Sequence, residues 1–403
     1  MTGGRISRRR LLAAVGTGLT TGLAGCGYQP GGGELDWQFD VGSLSSGGPS
    51  DETWLTDGDS CYRIRNRSGR TFQSGDTGVN FVDVDDARIT TYHETGDQRW
   101  SQNADRQYVG EPAVADGRVY LALEDGGVTA LEAPADDEDD PTPRWTADWE
   151  GPPLSLSAAG DALVGRHEVG VVGFDANDGT ERFALEDESL AADAVADIAL
   201  AGDRLWLLST RGPGETDADN EPEAPTLYGI GDDGTVEASR SLPVDTHWLE
   251  TVGSDALLGV DDELWAVAAD GDRRFALPLE GSTESATPVT VSETEWCYQY
   301  SDGTLEAIDV SAGDVVWRRD EYSFRETPVA DRDGIYGWGS GPEMDGCGLA
   351  AVTSDGDGWW EASPADGRGC LGTLLLVGDR LVVVVDGTVY GYRKAPGSRY
   401  TIV

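Results

Sequence analysis

The chain has 403 residues, 38% of them apolar, and carries 74 acidic against 29 basic side chains, for a formal net charge of −45. Such a charge density strains a compact fold by self-repulsion in dilute salt and is relieved in molar salt, where screening shortens to roughly 3 Å. No basic stripe exists to neutralise phosphates, which excludes nucleic-acid binding. In chain order, residues 1–25 read as a targeting segment outside the fold. Its only charges are Arg5, Arg8, Arg9 and Arg10, so the remainder is more acidic still.

Ser7-Arg8-Arg9-Arg10-Leu11-Leu12 resembles the twin-arginine export signal, with Arg8 and Arg9 as its pair. Leu11–Ala24 is apolar but short of the roughly 20 residues of a stable span. It runs into Leu23-Ala24-Gly25-Cys26, which resembles the lipobox of lipoprotein signal peptides. That resemblance implies cleavage before Cys26 and lipid on its sulfur. Residues 26–33 then form the lipidated cysteine and a glycine-rich flexible tether. The mature protein is expected outside the cell, held by lipid at the outer face of the cytoplasmic membrane.

From residue 34 short apolar strands alternate with glycine turns, and no helical periodicity appears. One unit shows the order. An inner strand Pro112–Ala115 turns at Asp116-Gly117 into Arg118–Leu123, then Val128–Glu132, then an outer strand Arg144–Thr146. Glycine accepts positive φ without a Cβ clash, so Asp-Gly between alternating strands signals a hairpin. Third strands of one type begin at Ile89, Val128, Val171, Leu227, Leu264, Leu305, Leu349 and Val389. The long interval after Val171 contains Arg211–Pro225, an acidic, proline-bearing loop insertion. A period near forty residues without helical pattern is the signature of a β-propeller.

In the cleanest copies a glycine leads four residues later to an aromatic: Gly96 to Trp100, Gly179 to Phe183, Gly271 to Phe275, Gly313 to Trp317 and Gly356 to Trp360. Outer strands bear Trp100, Trp145, Phe183, Ala238, Phe275, Trp317 and Trp360, one fewer than the third strands. The last third strand, Val389–Tyr392, has no outer partner after it, and Asp36–Asp40 with Trp37 supplies one. The expected fold is therefore all-β. It is an eight-bladed β-propeller of four-stranded antiparallel blades over residues 34–394, closed by pairing the N-terminal strand with the C-terminal blade. Seven blades is the competing count, and residues 395–403 form a tail. Trp37 and the other outer-strand rings are expected to pack structurally between blades, each indole N–H meeting a carbonyl. Ala238 breaks the pattern, so its contact should be the loosest.

The Gly-x-x-x-Trp pattern resembles the tryptophan-docking motif of pyrroloquinoline-quinone-type propeller repeats, over nearly all of residues 34–394. That family includes quinoprotein alcohol dehydrogenases and the non-catalytic propeller lipoprotein of outer-membrane assembly. No Trp-Asp dipeptide occurs, which disfavours WD40. The dehydrogenases of the family carry adjacent cysteines over the quinone and a calcium held by a Glu/Asn/Asp set. Here no two cysteines are adjacent and no such set can be assigned, so no cofactor is expected. The acidic composition resembles that of proteins from extreme halophiles, which argues against carrying over the outer-membrane pathway.

Of five cysteines, Cys61 and Cys297 occupy equivalent second strands and read as buried small apolar residues. Cys347 and Cys370 lie in loops that share one propeller face, making them a disulfide candidate in an oxidising exterior. His93, His167 and His247 have no metal-ligand spacing, and no CxxC or nucleophile elbow occurs. The acidic runs Asp83–Asp86 and Asp136–Asp140 lack the spacing of a calcium loop and read as solvated surface.

Loop length gives the only pointer to a site. Long second-to-third-strand loops are expected at Asn66–Ala87, Arg211–Pro225 and Gly339–Cys347, on the face that also holds the blade-to-blade links. Those links carry Arg106, Tyr108, Glu111, Trp149, His247, Trp248, Arg325, Glu326 and Arg368, a composition typical of recognition surfaces. The alternative is that they plug and rim the channel. The reading is a monomeric, lipid-anchored propeller that binds a protein or small ligand on this face without chemistry. The rival is a quinone- or sugar-linked surface oxidoreductase, which redox activity with added quinone and calcium would reveal.

Overall fold

Asp-Gly turns set the hairpins. Asp116-Gly117, Asp302-Gly303 and Asp386-Gly387 all hold positive φ at both positions, 50° and 77° in the first pair. A two-residue turn of this hand matches the twist of the strands it joins. The computed structural model describes residues 27–28, 32–41, 52–75, 78–124, 126–132, 143–149, 155–168, 170–186, 190, 194–201, 204–210, 224–291, 294–325, 327–342, 344, 346–363, 372–395 and 399–400. Side chains are described for these except 27–28, 71–75, 78–82 and 399–400.

Successive strands pair antiparallel into four-stranded sheets. Glu52–Thr56, Ser60–Gly75, Gly78–His93 and Gln98–Ala104 form the 52–104 sheet. Tyr108–Ala115, Arg118–Leu123, Gly127–Glu132 and Trp145–Asp148 form the next unit, and the four strands between Ser155 and Glu186 another. One parallel bridge, Ser155 to Glu111, joins these two units into an eight-stranded sheet. Four-stranded sheets follow over 195–241, 246–278 and 287–319. In the 323–362 sheet the first strand is split into Ser323–Phe324 and Val329–Asp331, both paired to Gly334–Ser340. Pro328, which has no N–H to donate, stands at the break. In the last sheet Thr373–Val377, Arg380–Val385 and Thr388–Arg393 take Leu35–Asp40 as their fourth strand. The first strands of successive sheets touch in turn, and Thr373–Val377 touches Glu52–Thr56. The core follows from period-two alternation: each sheet buries one face against the sheet before it and the other against the sheet after.

The rings of the outer strands fill the seams. Trp145, 8% exposed, donates from Nε1 to the Ala176 carbonyl (3.1 Å) in the next unit. Its face lies against Gly179, where a built Cβ would come within 2.4 Å of the ring. Gly179 also sits at φ 76°, so both the turn and the ring require glycine there. The pattern recurs: Trp37 against Gly96 with its N–H on Glu94 O (2.7 Å), Phe183 against Gly234, Phe275 against Gly313, and Trp317 against Gly356 with its N–H on Ser354 O (2.7 Å). At Ala238 no ring is present. Arg240 Nη1 donates instead to Gly271 O (3.0 Å), and Trp206 Nε1 to Ser254 O (3.3 Å), bridging that seam with polar bonds.

Four expectations are revised. Asn66–Ala87 is not a loop, because the ladder from Ser60–His93 continues through Gly75–Gly78 without interruption. Arg67 supports it with a two-point contact to Asp86 (2.6 and 2.7 Å), and Arg70 reaches Asp83 (2.9 Å). The strand expected at Pro112 begins at Tyr108, with its register shifted between Val109 and Ala113 around Gly110 (φ 66°) and Pro112. His247 lies inside the strand Thr246–Val252 instead of before it. Gly27–Tyr28, from the expected tether, pairs with Arg399–Tyr400 from the expected tail.

Among the described residues no helix is long and apolar enough to cross a membrane. The single described helix is one 3-10 turn, Thr283–Ser285, capped by Ser282. Cys26, Arg8 and Arg9 lie outside the described residues.

Candidate binding face

Beyond Asn66–Ala87, where the third strand also pairs with Gln98–Ala104, the hairpin continues as a free two-stranded ribbon. Its pairs from Arg67–Asp86 to Gly75–Gly78 carry it roughly 30 Å past the sheet at 3.4 Å per residue. Asn66 anchors the base. Its Nδ2 donates to Tyr108 O (2.8 Å) and its Oδ1 accepts from Tyr108 N (2.9 Å). Gln107 donates to Asp85 on the ribbon.

A cavity of ≈ 520 Å³ opens beside that base, lined by Glu52, Thr53, Asn66, Gln107, Tyr108, Val109, Gly110 and Glu124. The register shift around Gly110 and Pro112 lies at its wall, where Tyr108 and Val109 stay paired with Leu123 and Ala122. Tyr108 is buried, and its hydroxyl lies 3.3 Å from Thr53 Oγ1. The lining presents the Glu124 carboxylate, two amides and a phenol, with no arginine or lysine, while the Glu52 carboxylate is held by Arg63 and Trp54. It is a polar cleft.

The remaining face residues stand on separate sheets. Arg106 and Glu111 are exposed on either side of Tyr108, and Arg106 O accepts from Ala87 N (2.9 Å). Trp149 is half-buried, edge-on to His167 (5.1 Å) and Phe174 (6.1 Å), and its indole N–H has no described partner. His247 and Arg325 are exposed. Trp248 is buried in the seam between the 246–278 and 287–319 sheets, with Cys297 and Leu264, so it offers the surface nothing. Glu326, Arg368 and Cys370 lie outside the described residues. Cys347 is disulfide-bonded, and its partner is not among the described cysteines, since Cys61 and Cys297 are free and buried. Burial pushes both free thiols far above the ordinary range.

Sequence reading missed a half-buried acid pair. Asp197 crosses from its strand to accept from Leu249 N (3.2 Å) in the next sheet, and Glu250 follows there. Burial, reinforced by Asp197, raises Glu250 to about 7, against a hydrogen bond from Thr290 that lowers it. Burial also raises Asp197, opposed by the Leu249 and Ile198 N–H groups. The signal was present: Glu250 shares a strand face with the buried Trp248 and Val252. A carboxyl raised in the folded state stabilises below its unfolded value and loses that contribution as pH rises through the folded one. Melting temperature at constant molar salt is thus expected to fall between pH 4.5 and about 7. Glu250→Gln should flatten that fall by about a few degrees. An unchanged profile in the variant would remove Glu250 as its cause. Among the described residues no three His, Cys, Asp or Glu side chains group to hold a metal.

A family model described as outer membrane protein assembly factor BamB matches residues 26–218. No curated protein matches the chain significantly. Among solved structures, BamB from Moraxella catarrhalis superposes with a TM-score of 0.51 at 14% identity, covering 85% of this chain and 99% of that one. A europium-containing methanol dehydrogenase gives 0.48 at 12% identity over 90% and 85% of the two chains. A chain of a mitotic checkpoint complex gives 0.46 at 13% over 71% and 87%. The family match and the first superposition support a PQQ-like β-propeller, and at these identities the structural likeness concerns the fold alone.

Proposed function

We propose that this PQQ-like propeller is an exported, lipid-anchored, eight-bladed scaffold of the cell surface that binds a protein partner and performs no chemistry. Five four-stranded sheets, the two halves of the eight-stranded sheet and the five-stranded sheet supply the eight blades. The pairing of Leu35–Asp40 with Thr388–Arg393 supplies the closure. The observation that carries the binding role is the ribbon of residues 67–86 standing beside the polar cleft at Tyr108. A two-stranded arm beyond the sheet serves no blade, and its edges, which pair with no other described strand, can take a further strand from a partner. The similarity to a family described as an assembly factor agrees with a scaffold. Export and anchoring rest on Arg8, Arg9 and Cys26, and in this reading the Cys347 disulfide pairs with Cys370.

Two variants test this. Replacing residues 68–85 by a two-residue turn should leave the melting temperature within about 2 °C of wild type. The same change should abolish cross-linked complexes recovered from native membranes at high salt. Complexes unchanged by ribbon removal would reject the ribbon as the docking element. Cys26→Ser should release the protein from membranes or leave it unprocessed; a correctly cleaved, membrane-bound Cys26→Ser protein would reject the lipid anchor.

A further inference from the structure

Arg65 and Arg88 stand directly opposite one another across the long hairpin ladder of the 52–104 sheet. Like charges in that position, with Cβ atoms about 5 Å apart, repel. Strand alternation puts both on the side occupied by Cys61 and Tyr92, which packs against the last sheet through Val377 and Val382. Their neighbours are already engaged. Arg63 donates to Glu52 Oε2 (2.6 Å) and Val41 O (3.0 Å), and Arg67 is held by Asp86. Glu52, opposite Arg65 on its other side, has its second oxygen taken by Trp54 Nε1 (2.8 Å). Arg88 Nε donates to Ser101 Oγ (3.0 Å) and has no carboxylate partner among the described residues. The half-buried Arg65 guanidinium makes no hydrogen bond or ion pair with any described residue. Burial first, then Arg63 and Arg88, hold its pKa below the ordinary arginine value, with Glu52 opposing.

The chain has 74 acids to 29 bases, yet neither member of this facing pair has a carboxylate partner among the described residues, a lack that Arg99, Arg166 and Arg240 meet with a hydroxyl or a carbonyl. Elsewhere arginines such as Arg182, Arg204, Arg274 and Arg318 find carboxylates. A facing pair with no carboxylate partner among the described residues persists only where something offsets its repulsion, and two planar guanidinium forks match the oxygens of a tetrahedral oxyanion. We propose that Arg65 and Arg88 form a binding site for a phosphate-type oxyanion, with Ser101 orienting Arg88. The free ion and the phosphate of a lipid headgroup present the same chemistry. The site lies on the opposite face of its sheet from the Tyr108 cleft and does not depend on the partner-binding reading.

The test uses the full chain carrying Cys26→Ser, with Arg65→Gln or Arg88→Gln added, in potassium chloride at fixed molar ionic strength. Inorganic phosphate is titrated by calorimetry, and phosphatidylglycerol vesicles are compared with phosphatidylcholine vesicles by cosedimentation. The expected result is saturable one-to-one phosphate binding, at least tenfold weaker in either variant, or phosphatidylglycerol-selective cosedimentation lost in both variants. The first outcome assigns the free ion and the second the headgroup. Without oxyanion, Arg65→Gln should melt no lower than its parent, because it removes an opposed charge. With phosphate, only the parent should gain stability. Absence of both kinds of binding in the parent overturns the proposal. So does an Arg65→Gln protein destabilised equally with and without phosphate, because Arg65 would then be a structural residue.

Discussion

A variant lacking residues 34–40 is expected to lose cooperative unfolding and to aggregate. Leu35–Asp40 supplies a full strand to the last sheet. Asp36 pairs with both Arg380 (2.8 Å) and Arg393 (2.7 Å), and Trp37 lies between Gly391 of that sheet and Gly96 of the 52–104 sheet. The deletion would leave Thr388–Arg393 as an open edge. Behind it is Arg380–Val385, a run with four consecutive valines and strong β-propensity, so the new edge would recruit other chains. It would also empty the seam that the proposed closure fills. The loss should be comparable with a domain's whole stability, about 5–15 kcal/mol. Calorimetry and size-exclusion chromatography in molar potassium chloride would measure it. A monomeric, cooperatively melting deletion protein would show that the propeller closes by another route and would reopen the blade count.

Trp145→Ala carries the second-largest expected effect. The ring is buried against Tyr120 (6.1 Å between centroids) and over Gly179, and the seam cannot collapse into the space because both walls are paired strands. A buried tryptophan truncated to alanine costs about 3–5 kcal/mol. The Ala176 carbonyl would keep the Tyr120 hydroxyl at 3.4 Å, so the loss is chiefly one of packing. Trp145→Phe should therefore recover most of it and leave about 1 kcal/mol for the lost hydrogen bond. Urea denaturation at constant molar salt is the appropriate measurement, because guanidinium would itself screen the carboxylates. If Trp145→Ala and Trp145→Phe were equally destabilised, the hydrogen bond would dominate and the packing account would fail.

The strands, their turns and their four-strand grouping were legible because their causes are local. Asp-Gly sets a turn from two residues, and alternation sets a face from four or five. The glycine-to-aromatic spacing was legible too, but it pairs residues of the same sheet, whereas the structural contact runs from Trp145 to the glycine of the following unit. That partner could be found only once the sheets were placed side by side. The ribbon was misread because an acidic, glycine-containing stretch carries little apolar periodicity, and its pairing depends on Arg67 and Asp86 meeting across it. Trp248 was placed on the surface because it stands next to a link. Its strand turns it inward, where the adjoining sheet covers it.

By itself the sequence determined an all-β chain of repeated short strands, its glycine turns, its acidity and the rings that must be buried. Only the tertiary structure decided which carbonyl each ring meets and how Ala238 is compensated by Arg240. It likewise decided that Glu250 lies beside Asp197, and that Arg65 faces Arg88 with no carboxylate partner among the described residues. The reason is physical. Secondary structure follows from interactions a few residues apart, while burial and charge pairing depend on side chains brought together by register and by sheet-to-sheet contact. Those are set by the whole chain's packing at once.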